Sequence, residues 1–250
     1  MRVIALITDF GTRDGYAGAM KGVLAARAPV ARIVDVTHDV PPGDIQHGAW
    51  VLRSVWRYFP EDTVFLAVVD PGVGTSRRAV ALSADERFGV GPDNGTFTFV
   101  ADSASAVALA IPPDASPVFH GRDVFAPAAA SLASGGRLDA LGTAIGSLER
   151  LSLPRPERRG TVIEAHVIHV DRFGNVVTDV PAAMLAGAAP RVEVGAARSS
   201  RFVRTYAEAR ADELVTLVNS AGHLELATRD GSASERFGIR RGARILVRLA

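Results

Sequence analysis

The chain has no cysteine among its 250 residues. That excludes disulfides, thiolate nucleophiles, iron–sulfur clusters and the common structural zinc sites, and leaves His and carboxylates as the available metal ligands. It also has no charge of one sign in excess: 28 Lys+Arg stand against 27 Asp+Glu. Without a broad basic field to capture a phosphate backbone, nucleic acid is not an expected partner. No long apolar run is present near the start, because Asp9 interrupts Val3-Ile4-Ala5-Leu6-Ile7 well short of a signal-peptide core or membrane span. We therefore expect a cytoplasmic protein with no membrane partner, in which the sequon Asn94-Gly95-Thr96 is simply a turn. There is no internal repeat and no low-complexity tract beyond a modest alanine bias.

What is present is ample apolar material. With 48% hydrophobic and 22% charged residues, a chain of this length can bury a real core in one large or two modest domains. Val3 to Ile7 reads as a strand. Tyr16, Met20, Val23, Leu24 and Arg27 then fall on helical spacing, and Ile33-Val34-Asp35-Val36 reads as a second strand. Asp44 stands in N-cap position before the helical stripe Ile45, Ala49, Leu52, Trp56 and Phe59. Val64 to Val69 is a continuous apolar run, as expected for a strand covered on both faces. This β-α-β-α-β order predicts a mainly parallel sheet with right-handed crossovers.

Further strands are expected at Ala79 to Ser83 and Phe88 to Val90, a turn at Gly91 to Gly95, and helices at Ala104 to Ala110 and Asp123 to Ala133. Residues 153–160, with Pro154, Pro156 and clustered charge, read as a linker. We place an N-terminal α/β domain at 1–152 and a smaller all-β, barrel-like domain at 161–250. The second rests on short β-rich runs at Val162 to Val170, Val176-Val177, Arg191 to Val194, Leu214 to Val218, Leu224 to Ala227 and Ile245 to Leu249.

Three polar clusters follow apolar strand-like stretches in the first domain: Thr8-Asp9-Phe10-Gly11, Asp70-Pro71-Gly72-Val73-Gly74-Thr75-Ser76-Arg77, and Phe119-His120-Gly121-Arg122-Asp123. In an open α/β sheet the carboxyl ends of neighbouring strands face one crevice, so such clusters can surround one small ligand. The Asp-Phe-Gly letters lack the other kinase signatures. Asp9 suits the two hydroxyls of a ribose, or caps the following turn. Gly72-Val73-Gly74 lacks the third glycine of a dinucleotide fingerprint. Asp70 and Arg77 form either an oriented carboxylate for chemistry or a pair bracing a loop. His120 completes a candidate base system that needs no metal, and Gly121 beside it removes side-chain bulk so that a substrate can approach closely. A metal site from His38, Asp39, Asp70 and His120 is the rival, but no His-x-His or His-Glu-x-x-His spacing supports it.

In the second domain Asp171-Arg172-Phe173-Gly174-Asn175 and Asn219-Ser220-Ala221-Gly222 are polar turns at strand ends. They are plain β-turns, or together they grip an amino acid's ammonium and carboxylate.

Taken in order, these motifs and Pro92-Asp93-Asn94-Gly95 resemble the S-adenosyl-L-methionine (SAM) hydroxide adenosyltransferase family, the SAM hydrolases related to fluorinase and chlorinase. The similarity covers essentially the whole chain. It implies SAM as substrate, adenosine and L-methionine as products, no cofactor, and a homotrimer with sites between subunits. It implies that Asp70, Arg77 and His120 activate water, that Asp9 holds the ribose, and that Asp171, Asn175 and Ser220 lie on the methionine side, with Phe173 and Asn219 in the same motifs. The halogenases differ by an aromatic residue in the segment matching Asp70 and an arginine beside the serine matching Ser220. Asp70 and Ala221 stand here instead, and a carboxylate favours water over an incoming halide. The expected reaction is hydrolysis of SAM at the ribose 5′ carbon. The alternatives are a halide-using adenosyl transferase and a non-catalytic SAM- or adenosine-binding module.

Overall fold

A computed structural model describes residues 2–249. The chain divides into two compact units, Met1–Leu151 and Ser152–Ala250.

The first unit opens with β1 (Val3–Thr8), α1 (Tyr16–Arg27), β2 (Arg32–Thr37), α2 (Ile45–Trp56) and β3 (Val64–Val68). Asp44 caps α2, its carboxylate accepting the His47 N–H at 3.0 Å. There follow β4 (Ala79–Ala84), β5 (Arg87–Pro92) and β6 (Ser105–Leu109), then a π-helical turn (Gly121–Phe125) that runs into α3 (Ala126–Ala133), and finally β7 (Gly142–Ile145). Among the described residues seven strands form one sheet in the order β2-β1-β3-β5-β4-β6-β7.

The sheet is mixed. The β1–β2, β1–β3 and β3–β5 pairs are parallel, whereas β4–β5, β4–β6 and β6–β7 are antiparallel. Loop length explains the change. Only Asp85 and Glu86, with φ of 47° and 60°, join β4 to β5, and a two-residue connection can make only an antiparallel hairpin.

Period-two alternation sorts the core into two layers. Ile4, Leu6, Leu66 and Val68 pack with Met20 and Leu24 of α1 and the alanines of α3. Ala5, Ile7, Phe65 and Ala67 face Leu52 and Trp56 of α2. With helices on both faces, every residue of β3 is buried, which is why its sequence is an unbroken apolar run.

The helix expected at Ala104 to Ala110 is instead β6, hydrogen-bonded on both edges to β4 and β7. Alanine favours a helix locally, but pairing on two sides outweighs that weak preference, and Pro112-Pro113 stop any helix from growing.

The second unit contains β8 (Glu157–Arg159), β9 (Val162–Val170), β10 (Val176–Pro181), the short α4 (Ala182–Leu185), β11 (Pro190–Val194), β12 (Ala197–Ser199), β13 (Val215–Val218), β14 (His223–Ala227), α5 (Ala233–Phe237) and β15 (Arg244–Leu249). Among the described residues its eight strands form an antiparallel, barrel-like sheet in the order β12-β11-β15-β9-β10-β14-β13, with β8 paired to β9. Part of the segment read as linker is thus β8, whose Glu157 to Arg159 pair with β9. Ile163, Ala165 and Val167 of β9 point into the barrel core with Val176, Leu224, Leu226, Ile245 and Val247.

Phe65 is fully buried and stacks on Trp56 with ring centroids 4.6 Å apart. Phe65→Ala should lower the unfolding free energy by about 3–5 kcal/mol in denaturant titration. A loss below about 1 kcal/mol would mean that this layer is not the packed core described.

Candidate active site

Asp70 follows β3 at the carboxyl end of the sheet, and the turn after it brings Arg77 back onto it. Arg77 Nε donates to Asp70 Oδ1 at 2.9 Å and Nη2 donates to Oδ2, a two-point grip that fixes the carboxylate's direction. The second Nη2 proton goes to His120 Nδ1 at 2.9 Å. His120 is 3% exposed and stands at the N-cap of the π-helical turn. The three residues predicted as a set therefore form one buried chain of hydrogen bonds.

The chain settles the histidine tautomer. A guanidinium has no acceptor, so Nδ1 must accept, and neutral His120 carries its proton on Nε2. Burial holds the imidazole below its ordinary pKa and the Arg77 charge adds to this, while Asp70 and Asp123 pull the other way. Neutral His120 is thus a donor through Nε2. Arg77 Nη1 is buried without a hydrogen-bond partner among the described residues, and the guanidinium carbon lies 5.2 Å over the Phe125 ring.

Asp9 lies beyond the end of β1, where the Gly43 N–H donates to its Oδ2 at 2.8 Å. Burial raises its pKa, the bond from Gly43 opposes that, and the charge of Asp70 adds to the rise. The two carboxyls therefore belong to one electrostatic neighbourhood. Gly121 is buried, and a Cβ there would meet Met20 Sδ at 3.1 Å and the Phe119 ring at 3.3 Å. Its smallness makes room for protein side chains.

His38, considered above as a metal ligand, faces protein groups with both ring nitrogens. Nδ1 lies 2.8 Å from Thr8 Oγ1 and Nε2 lies 3.1 Å from Asp35 Oδ1. Its carbonyl accepts the Gly11 N–H at 2.8 Å. His38 therefore clamps the Thr8-to-Gly11 loop that carries Asp9.

In the second unit, Asp171 Oδ1 accepts the Phe173 and Asn175 N–H groups at 2.9 and 2.8 Å, and Oδ2 accepts Asn175 Nδ2 at 2.9 Å. This closes a rigid loop between β9 and β10. Gly174 is required in it: φ is 82°, and a Cβ would sit 2.1 Å from Ser232 Oγ. The loop leaves Phe173 75% exposed. Asp171, Phe173 and Asn175 line a cleft of about 630 Å³ together with Tyr206, Thr228, Asp230, Gly231 and Ser232. Its charged lining residues are both acidic.

Asn219 and Ser220 lie outside that lining. Asn219 closes its own turn by accepting the Ala221 and His223 N–H groups, each at 3.0 Å, and Ser220 is exposed at the turn. Sequence reading did not anticipate the other cleft residues, among them Tyr206, nor the buried Glu225 behind it, which accepts the Tyr206 hydroxyl at 2.8 Å. The only signal for this pair was a glutamate within the apolar run Leu224 to Ala227, which strand alternation assigns to solvent.

With this geometry in place, comparison with known proteins gives a consistent picture. The model of the SAM hydroxide adenosyltransferase N-terminal domain matches residues 4–142, and that of the C-terminal domain matches residues 165–246. The chain belongs to the SAM hydroxide adenosyltransferase family. Two relatives named (R)-S-adenosyl-L-methionine hydrolase, from Salinispora arenicola and Salinispora tropica, are 43% and 41% identical, each over 98% of this chain and 97% of theirs. A fluorinase from an Actinoplanes species is 27% identical over 98% of this chain and 97% of its own. A crystal structure of a conserved protein from Thermotoga maritima superposes with a TM-score of 0.91 at 33% identity, covering 98% of this chain and 99% of that one.

Removing the cation beside His120 should raise its pKa, because burial alone then opposes the pull of Asp70 and Asp123. In Arg77→Met the imidazole should titrate higher than in the native protein by NMR. An unchanged or lower value would show that Arg77 does not set the charge state of His120.

Proposed function

We propose that the protein hydrolyses S-adenosyl-L-methionine to adenosine and L-methionine, without a metal or other cofactor. The observation that carries this reading is the buried Asp70–Arg77–His120 chain beside Asp9, in a member of this family whose relatives at 41–43% identity are named SAM hydrolases. A water molecule attacks the ribose 5′ carbon in line with the sulfonium. The new C5′–O bond replaces the C5′–S bond, sulfur keeps the electron pair and leaves as the neutral thioether of methionine, and the water proton is released.

A neutral leaving group needs no acid, so the protein's work is on the nucleophile. Asp70, aimed by Arg77, accepts one proton of the water. His120, a donor through Nε2, holds its oxygen, which leaves one lone pair for attack. Asp9 accepts hydrogen bonds from the ribose hydroxyls, and the acidic neighbourhood of Asp9 and Asp70 favours the cationic sulfonium. In the second unit the loop of Asp171, Phe173 and Asn175, with Asn219 and Ser220, serves the methionine side of the substrate. Ala221 supplies no charge for the carboxylate.

Halide transfer on the same scaffold is the second reading, favoured by the fluorinase similarity over nearly the whole chain. The charge of Asp70 works against it, because an anion approaching the same carbon would meet a carboxylate. The homotrimer, with sites shared between subunits, is part of the proposal and rests on the family resemblance.

Chromatography of SAM incubated with pure protein in EDTA, with and without chloride, tests the reading. Adenosine and methionine in equal amounts are expected in both, from a species of trimer mass by light scattering. A 5′-halo-adenosine product would favour halide transfer, intact SAM would leave only binding, and activity lost in EDTA and restored by one divalent ion would overturn the metal-free mechanism.

A further inference from the structure

Strand β14 sends Leu224 and Leu226 into the barrel core and turns Glu225 to the opposite face. That face is not open to solvent. The segment between β12 and β13 folds over it, and Val203 and Ala209 pack there against Val215, Leu217 and Ala227. Glu225 is left 3% exposed.

A carboxyl buried in this way is costly unless its oxygens are engaged. Here each oxygen accepts one bond from a neutral donor: the Tyr206 hydroxyl to Oε1 at 2.8 Å and Asn219 Nδ2 to Oε2 at 3.1 Å. Burial raises the Glu225 pKa and the nearby charge of Asp171 raises it further, although both bonds oppose the shift.

The two donors belong to different pieces of the substrate side. Tyr206 stands in the wall of the cleft, in a single 3-10 turn (Tyr206–Glu208), and is 45% exposed. Asn219 cannot rotate to find another partner, because its Oδ1 already holds the Ala221 and His223 N–H groups. Its Nδ2 is therefore aimed at Glu225, and the turn that presents Ser220 is tied to the same carboxyl as the Tyr206 wall.

We propose that Glu225 is a positioning residue for substrate binding: without touching the substrate, its carboxyl locks the Tyr206 wall of the cleft to the Asn219–His223 turn. This rests on the reading of the protein as a SAM hydrolase. A brace of this kind acts equally on bound substrate and transition state, so its loss raises KM and leaves kcat. A carboxyl that merely supported the fold would change stability and leave both constants of the folded protein unaltered.

Three variants separate these cases. Glu225→Gln keeps both links, since the Gln oxygen can face Asn219 and its amide can donate to the tyrosine oxygen. Its KM for SAM should stay within about threefold of the native value, whereas Glu225→Ala should raise KM by about tenfold or more with kcat within about threefold. Tyr206→Phe cuts one link at a half-exposed ring and endangers folding least. It should raise KM by about three- to fivefold, and adding it to Glu225→Ala should cost nothing more.

Wild-type turnover is measured first. No adenosine from the native enzyme would sink the functional reading and this proposal with it. Native turnover with an unchanged KM in Tyr206→Phe would overturn the positioning role alone, even if Glu225→Ala failed to fold. A fall in kcat at constant KM, or a Glu225→Gln variant as impaired as Glu225→Ala, would also overturn it.

Discussion

The candidate active site depends on one guanidinium. Arg77 spends two N–H groups on Asp70 and one on His120, so a single side chain fixes the direction of a carboxylate, the tautomer of an imidazole and the separation between them. The fold supplies what the guanidinium needs. β3, buried along its whole length, leads to Asp70, and Phe125 lies against the guanidinium charge. The π-helical turn before α3 begins immediately after His120. Turns of this kind are costly in regular helices and recur where a side chain must be aimed.

The two units solve the problem of buried acidity differently. In the first, Asp70 is paired with a cation and Asp9 draws on a backbone N–H. In the second, Asp171 and Glu225 are held by neutral donors: loop amides for one, a tyrosine and an asparagine for the other. Charge pairing suits a group that must keep its direction while it accepts a proton, as proposed for Asp70. Neutral donors add no positive charge to the acidic cleft, which suits the methionine-side role proposed for it. The fluorinase similarity extends over nearly the whole chain; in the proposed mechanism, the charge of Asp70 favours water over a halide.

Most of the first half of this design is visible in the linear sequence. Strand ends in an open sheet converge, so Asp9 after β1 and Asp70 with Arg77 after β3 could be assigned to one crevice; His120 reads as a strand-end residue too, but it follows a coil and stands at the N-cap of the π-helical turn. The run Ala104 to Ala110 misled because its composition is helical while its neighbours in space are strands, and pairing partners are not local information. The hairpin of β4 and β5 turned half of the sheet antiparallel for a similar reason: the loop at Asp85 and Glu86 carries no glycine or asparagine to announce it. Glu225 and Tyr206 were invisible because alternation places a glutamate between two core leucines on the outside. Only the segment that later covers that face makes it an inside.

The central claim is that the oxygen of water ends on the ribose 5′ carbon. Running the reaction in H₂¹⁸O and weighing both products by mass spectrometry tests it directly. The account predicts one ¹⁸O atom in the 5′-hydroxyl of adenosine and none in methionine. Unlabelled adenosine, or label carried by the amino-acid product, would contradict it.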